Sequence, residues 1–216
     1  ASQPGAVDMQ CLLHELRDEL GHLPGLVDTV ETAIARAKMS GQPFKLGPLL
    51  LVGQPGTGKS FAALRLTKLL GLPSQLIDMA AQQTNSYLHG SDRHWGNAMP
   101  GALFELLLLG SCANPLIVLD EIDKAPKRAN YEPLAPLHSA LEPVTAKETK
   151  DLCIPAKFDA SHVSYLATAN RLSDIPMPLL SRFEIIHCAP PGPRESLQMA
   201  RMVWVRVAAK FGIEEA

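Results

Sequence analysis

The chain lacks an excess of positive charge: 20 Lys and Arg stand against 22 Asp and Glu in 216 residues, a formal net charge of -2. Nucleic-acid binding through bulk electrostatics needs a basic face, so a nucleic-acid partner is not expected. Long hydrophobic runs are missing too. Glu105 and the stretch from Gly110 to Pro115 interrupt the longest candidate, which falls short of a bilayer span, so no membrane partner is expected. No basic segment followed by an apolar core opens the chain, and a secretory signal is likewise not expected. Cysteine is scarce. Cys11, Cys112, Cys153 and Cys188 lie far apart and match no metal or redox spacing, so reduced, mostly buried thiols in a cytoplasmic protein are the expectation. The 7 histidines form no H-x-x-x-H or similar cluster, which argues against a metal site made by protein ligands alone. Charged residues make up only 19% and hydrophobic residues 46%, enough for a full core and against disorder. The length suggests one domain with room for a small appendage. The chain starts Ala1-Ser2 with no methionine, so a processed or excised piece of a longer protein is the expectation.

What is present is more informative. Gly53-Gln54-Pro55-Gly56-Thr57-Gly58-Lys59-Ser60 fits G-x-x-x-x-G-K-[ST], the phosphate-binding P-loop. Chance would put such a string into roughly one per cent of chains this long. Before it, Leu49 to Val52 is an all-apolar run, the pattern of a strand buried on both faces. After it, residues 61–70 read as a helix stopped by Gly71 and Pro73. Strand, glycine loop and helix are the context in which backbone N–H groups and a helix N-terminus converge on phosphate oxygens. Nucleoside triphosphate binding follows, with Mg²⁺ as the ligand's usual companion.

A second apolar run, Leu116-Ile117-Val118-Leu119, ends in Asp120-Glu121. Acids at the C-terminal end of a buried strand sit where α/β proteins bind ligands. Asp120, with Ser60, is the candidate for the Mg²⁺ shell, and Glu121 for the base that takes a proton from attacking water. The competing reading makes Asp120 a helix N-cap. A third run, Val163 to Thr168, leads to Asn170, whose amide either orients that water near the γ-phosphate or satisfies its own turn. Arg182 lies between apolar pairs. It reads either as a finger reaching a neighbouring subunit's site or as the partner of Glu184 or another local acid.

Around these motifs, residues 8–23 carry a helical apolar face, Pro24-Gly25 breaks it, and a second amphipathic helix runs to about Gly41. Strands are expected at 49–52, 76–79, 116–119, 163–168 and 185–188, separated by helices, hence a parallel sheet covered on both faces. Pro190-Pro191-Gly192-Pro193 is a candidate hinge. Beyond it Leu197, Ala200, Val203, Trp204, Val207 and Phe211 make a helical stripe expected to be packing surface, with Trp204 as its anchor.

Taken together, GQPGTGKS (53–60), LIVLDEIDK (116–124), LATAN (166–170) and IPMPLLSRFEII (175–186) resemble an AAA+ ATPase, in particular the ATPase module of Lon-type proteases. AMPG at 98–101 and LHSALEP at 137–143 are similar to Lon as well, and the resemblance runs from Gly25 to about Arg206. It implies an α/β P-loop NTPase fold of AAA+ type: N-terminal helices over 1–45, a nucleotide-binding core over 46–190 and the start of a helical lid over 191–216. It implies that Lys59 and Ser60 meet phosphate and Mg²⁺, that Asp120 and Glu121 form Walker B and that Asn170 is sensor 1. Gly25 and Leu26 are then expected among the nucleotide contacts, on the adenine side. Arg182 falls on the arginine-finger position, which implies a homo-oligomeric ring, usually a hexamer. Mg²⁺-dependent ATP hydrolysis coupled to remodelling or translocating a protein is the implied function. The alternatives are the ATPase part of a complete ATP-dependent serine protease, or a slow nucleotide-gated assembly switch. Two departures from the Lon pattern stand out. Trp95 takes the aromatic place in the substrate-gripping loop, yet Gly96 and Asn97 follow where an aliphatic residue belongs, so Trp95 is either a protein-substrate contact or an ordinary loop residue. The chain also stops one helix into the lid, before any sensor-2 arginine, and nothing in it matches a Ser-Lys protease domain.

Overall fold

The computed structural model describes residues 9–110, 112–127 and 132–211; the outermost residues of the terminal segments above, 1–8 and 212–216, lie outside them. Five strands, β1 (Leu49–Val52), β2 (Ser74–Asp78), β3 (Leu116–Asp120), β6 (Ser164–Ala169) and β7 (Glu184–His187), form one sheet in the order β2-β3-β6-β1-β7. Every pairing in it is parallel. Two further strands, β4 (Thr149–Lys150) and β5 (Lys157–Phe158), make a small antiparallel hairpin that the apolar pattern does not announce.

The all-apolar strands follow from coverage of both sheet faces. Leu49, Leu51, Leu116, Val118 and Leu166 point into one core cluster. Leu50, Val52, Ile117, Leu119 and Ala167 point into the other. Successive side chains of a strand alternate between faces, so a strand buried on both sides has no position for a polar residue. Each fully buried leucine in these strands contributes about 1.5–3 kcal/mol. The edges are different. β2 begins two residues earlier than the apolar run suggests and carries exposed Ser74, while β7 opens on exposed Glu184. An edge strand has one flank uncovered, so its hydrogen-bonded extent outruns its apolar core.

The first core cluster is closed by three helices: α1 (Met9–Leu20), α2 (Pro24–Ser40) and α3 (Lys59–Leu70). Leu12, Leu16, Leu20 and Leu23 are all buried in it. Pro24 occupies the first turn of α2, where its fixed φ and missing N–H suit the helix start, so the expected break is also a beginning. α2 stops at Gly41, whose left-handed φ of 63° caps it. Arg65 of α3 forms a two-pronged ion pair with Glu19 of α1, tying the N-terminal helix to the one that follows the glycine loop.

The C-terminal helix, Pro193–Phe211, departs from expectation. Leu197, Val203, Trp204, Val207 and Phe211 are exposed, Trp204 by 56%, whereas Ala208 is buried. The stripe expected to be packing surface, with Trp204 as anchor, meets no core cluster among the described residues. Its side chains face outward from a helix that touches the rest of the fold elsewhere. One such contact lies near Met199, whose methyl would stand 2.7 Å from a Cβ placed on Gly58.

Candidate functional site

The glycine loop links the C-terminal end of β1 to α3, and its glycines are there for steric reasons. A Cβ on Gly53 would lie 2.4 Å from the carbonyl oxygen of Cys188 on the neighbouring strand's exit, an impossible approach. Gly58, at φ 83°, is the left-handed residue from which α3 departs. The loop lies beside the ends of β3 and β6 because β6 pairs with both β1 and β3. This is the carboxyl edge of a parallel sheet, where side chains from different strands converge.

Lys59 is only 7% exposed. Its Nζ donates to the carbonyls of Gly53 at 2.7 Å and Gln54 at 2.9 Å, to Asn170 Oδ1 at 3.0 Å and to Thr57 Oγ1 at 3.3 Å. Burial pushes its ammonium below the ordinary lysine value, against the opposing carboxylates of Asp123, Asp120 and Glu121. At Cys188, burial raises the thiol, and the nearby Lys59 charge opposes that rise.

Ser60 Oγ donates to Asp120 Oδ1 at 2.7 Å, and Thr168 Oγ1 donates to the same oxygen at 2.5 Å. Thr168 is 1% exposed and also accepts the Glu121 N–H at 2.9 Å. One hydroxyl thus secures both acids at the end of β3. Glu121 needs such an anchor, since it is the one non-glycine residue with positive φ, 57°, among those described. Its carboxylate pairs with Lys124, whose ammonium is raised by that hydrogen bond. Asp120 is not an N-cap: the turn after it begins at Glu121, with no side-chain cap bond.

These groups surround two adjoining clefts. One, of about 300 Å³, is lined by Pro55, Gly56, Gly58, Lys59, Ser60, Phe61, Glu121, Lys124, Thr168, Ala169 and Asn170. The other, of about 600 Å³, lies between Gln54, Pro55, Asp123, Lys124, Asn170, Arg171 and Asp174. The loop residues with Ser60, the pair Asp120 and Glu121, and Asn170 are therefore brought together from three separate stretches of chain. Arg182, Gly25 and Leu26 line neither cleft. Leu26 is fully buried in the core, so its side chain is occupied there. A Cβ on Gly25 would stand 3.2 Å from Ile186 on β7. Arg182 donates to the Pro178 carbonyl; its Nε is buried without a partner, and it forms no ion pair with Glu184 or any other described acid. Glu184 instead accepts from Thr29 at 3.3 Å.

Trp95 stands 64% exposed on a loop closed by Ser91 and Met99: Ser91 N–H donates to the Met99 carbonyl at 3.0 Å and Met99 N–H to Ser91 Oγ at 2.8 Å. Thr168, Asp123 and Lys124 are site residues that the motifs alone do not single out. The register gives the signal for Thr168: Leu119 pairs with Ala167, so the next residues, Asp120 and Thr168, emerge side by side.

No group of three or more His, Cys, Asp or Glu side chains able to hold a metal is found among the described residues. Ser60 and Asp120 nevertheless suit Mg²⁺, a hard cation that takes few protein ligands, all oxygen, and completes its shell with water and phosphate. No helix among the described residues is long and apolar enough to cross a membrane.

A glycine loop closing on the carboxyl edge of a five-stranded parallel sheet, with two acids beside its Lys and Ser, defines a P-loop NTPase of α/β architecture. Residues 49–191 match the family model for the ATPase family associated with various cellular activities (AAA), and the chain belongs to that family. It is an AAA+ module resembling that of Lon. It is 36% identical over 160 residues to the peroxisomal Lon protease homolog 2 of Zea mays, covering 74% of this chain and 18% of that protein. It is 33% identical over 181 residues to Lon protease of Nitrosococcus oceani, covering 83% and 23%. To Lon protease of Bacillus thuringiensis it is 36% identical over 156 residues, covering 72% and 20%. The chain spans about a fifth of the length of these relatives.

Proposed function

We propose that this ATPase module hydrolyses ATP with Mg²⁺ between subunits of a homo-oligomeric ring, a hexamer, and uses the cycle to remodel or translocate a protein. The observation that carries the reading is the convergence of Lys59, Ser60, Asp120, Glu121 and Asn170 on one small cleft beside the glycine loop. In this reading the N–H groups of residues 53–60 and the Lys59 ammonium receive the β- and γ-phosphates. Ser60 and Asp120 hold Mg²⁺, which when bound neutralises charge on those phosphates. Glu121 takes a proton from water as its oxygen bonds to the γ-phosphorus, and the bridging oxygen leaves with ADP. Asn170 senses the γ-phosphate, and Arg182 of the adjoining subunit stabilises charge on the transferring group. The orphaned Nε of Arg182 and its lack of a local acid support that trans role. Gly25 contributes backbone to the adenine side, and Leu26 supports it from the core. Exposed Trp95 and Met99 offer apolar contact to an extended polypeptide. The three-part division at residues 45 and 190, and a cytoplasmic location, belong to the same reading.

Two substitutions test the site. Lys59→Ala is expected to abolish ATP binding, because the ammonium and its loop carry the phosphate contacts. Glu121→Gln is expected to bind ATP normally while hydrolysis falls about 10²–10⁴-fold. Normal turnover by Glu121→Gln would refute the assignment of the base. A second reading, that the module powers an ATP-dependent protease, draws on its similarity to the Lon proteases. Release of peptides from an unfolded protein by the complete protein distinguishes it. Stimulation of hydrolysis by that same unfolded protein separates a motor from a nucleotide-gated switch.

A further inference from the structure

We propose that Asp123 is a positioning residue for Asn170, acting on the γ-phosphate contact through the backbone that carries that amide. The inference rests on the nucleotide-site reading above and concerns a residue to which that reading gives no part. Asp123 lies in the 3-10 turn Ile122–Lys124, immediately after Glu121. Its Oδ2 accepts the backbone N–H of Asn170 at 3.1 Å and that of Arg171 at 3.2 Å. Two successive N–H groups held by one oxygen orient the peptide plane between them. That plane lies where the chain leaves β6, so its orientation sets the direction in which the Asn170 side chain departs. The amide then meets Lys59 Nζ at 3.0 Å. A continuous path thus runs from the acid-bearing turn, through the backbone at Asn170, to the ammonium of the glycine loop. Asp123 Oδ1 is buried without a partner among the described residues, a cost to folding, and Asp123 lines the cleft shared with Asn170 and Arg171. Errors of about 1 Å at a reacting group cost about 10²-fold in rate, so a brace of this kind matters to a site built on a loop.

Position and charge are separable at this residue. Asp123→Asn removes the charge and keeps a side-chain oxygen at the same reach. Asp123→Glu keeps the charge and moves the carboxylate by one methylene. The measurement is the ratio of dissociation constants for ADP and for an ATP analogue with a non-hydrolysable β–γ bridge, by calorimetry on the 216-residue chain. Asn170→Ala sets the scale, since loss of a hydrogen bond to charged phosphate lowers the preference for the triphosphate about tenfold. Asp123→Asn is expected to keep the wild-type ratio within about threefold, while Asp123→Glu and Asp123→Ala lose as much as Asn170→Ala. Adding Asn170→Ala to Asp123→Glu is expected to cost nothing more. If Asp123→Ala fails to fold, the Asn and Glu variants decide the matter. The proposal is overturned if Glu keeps the ratio and Asn loses it, which would make charge the agent. Additive losses overturn it too, as does an Asp123→Glu chain that melts earlier but retains the ratio. A wild-type chain without preference, or an Asn170→Ala chain that retains it, overturns the site reading and this inference with it.

Discussion

Thr168→Val isolates one hydroxyl. The swap preserves shape at a side chain that is 1% exposed, so it opens no cavity. It removes a donor to Asp120 Oδ1 at 2.5 Å and an acceptor for the Glu121 N–H at 2.9 Å. A hydrogen bond to a charged group is worth about 1.5–3 kcal/mol, and an N–H left without its partner costs about 1–3 kcal/mol. Ser60 still serves Asp120, so the expected loss sits near the low end of the sum, about 3 kcal/mol. For a chain of this size that lowers the melting temperature by roughly 6–12 °C. Urea unfolding should show the loss in the midpoint with an unchanged slope. Function suffers separately. Glu121 holds a left-handed backbone, φ 57°, against a cost of about 1–3 kcal/mol, and its N–H bond to Thr168 helps to pin it there. With that anchor gone, hydrolysis is expected to fall about 10–100-fold while ATP affinity stays within about threefold. Thr168→Ser keeps the hydroxyl and should stay within about 1.5 kcal/mol of the wild type. Stability within about 0.5 kcal/mol and unaltered turnover for Thr168→Val would refute the reasoning. Equal damage from Ser would place the loss in the methyl group instead.

Further outcomes are expected at Arg182 and at His89. In assembled rings, Arg182→Ala costs up to about 10³–10⁵ in hydrolysis, with affinity of the isolated chain for ATP nearly unchanged. Arg182→Ala and Glu121→Gln subunits, each inactive alone, regain part of the activity when mixed; rings shown by mass to be mixed yet still inactive would assign Arg182 to its own subunit. Acid stability carries the mark of His89, whose imidazole is pushed below its ordinary value by burial, with Asp151 partly opposing. The folded state then disfavours the charged form, and the unfolded chain binds the extra proton below about pH 6.5. Stability should be full above that pH and decline, by up to about 1.4 kcal/mol per unit, as pH falls through the folded value. His89→Gln should flatten that decline. The same slope with and without the imidazole would exclude His89 as its source.

The parts of this protein legible in its sequence are those whose physics is local. The Leu49–Val52 run, the glycine loop and the helix after it must occur together for a backbone to wrap phosphate, and they are read off as one string. β1 was placed to the residue and β3 and β6 to within one, because burial on both faces leaves only apolar side chains along them. Edge strands were less legible, since polar Ser74 and Glu184 belong to the ladder without belonging to the core. The nearness of Asp120 and Asn170 to Lys59 depends on the order β3-β6-β1, in which strands far apart in the chain become neighbours. No spacing in the sequence gives the shared oxygen of Asp120, the brace from Asp123, or the second duty of Thr168. Each is a contact across 47 or more residues, created when three strand ends meet at one edge. The apolar stripe of the last helix makes the same point in reverse. Periodicity announced a packing face, but whether a face is covered depends on what the fold brings against it, and Trp204 stands exposed. Local pattern determines which segments can be strand, loop and helix; only the assembled sheet decides which of their side chains touch.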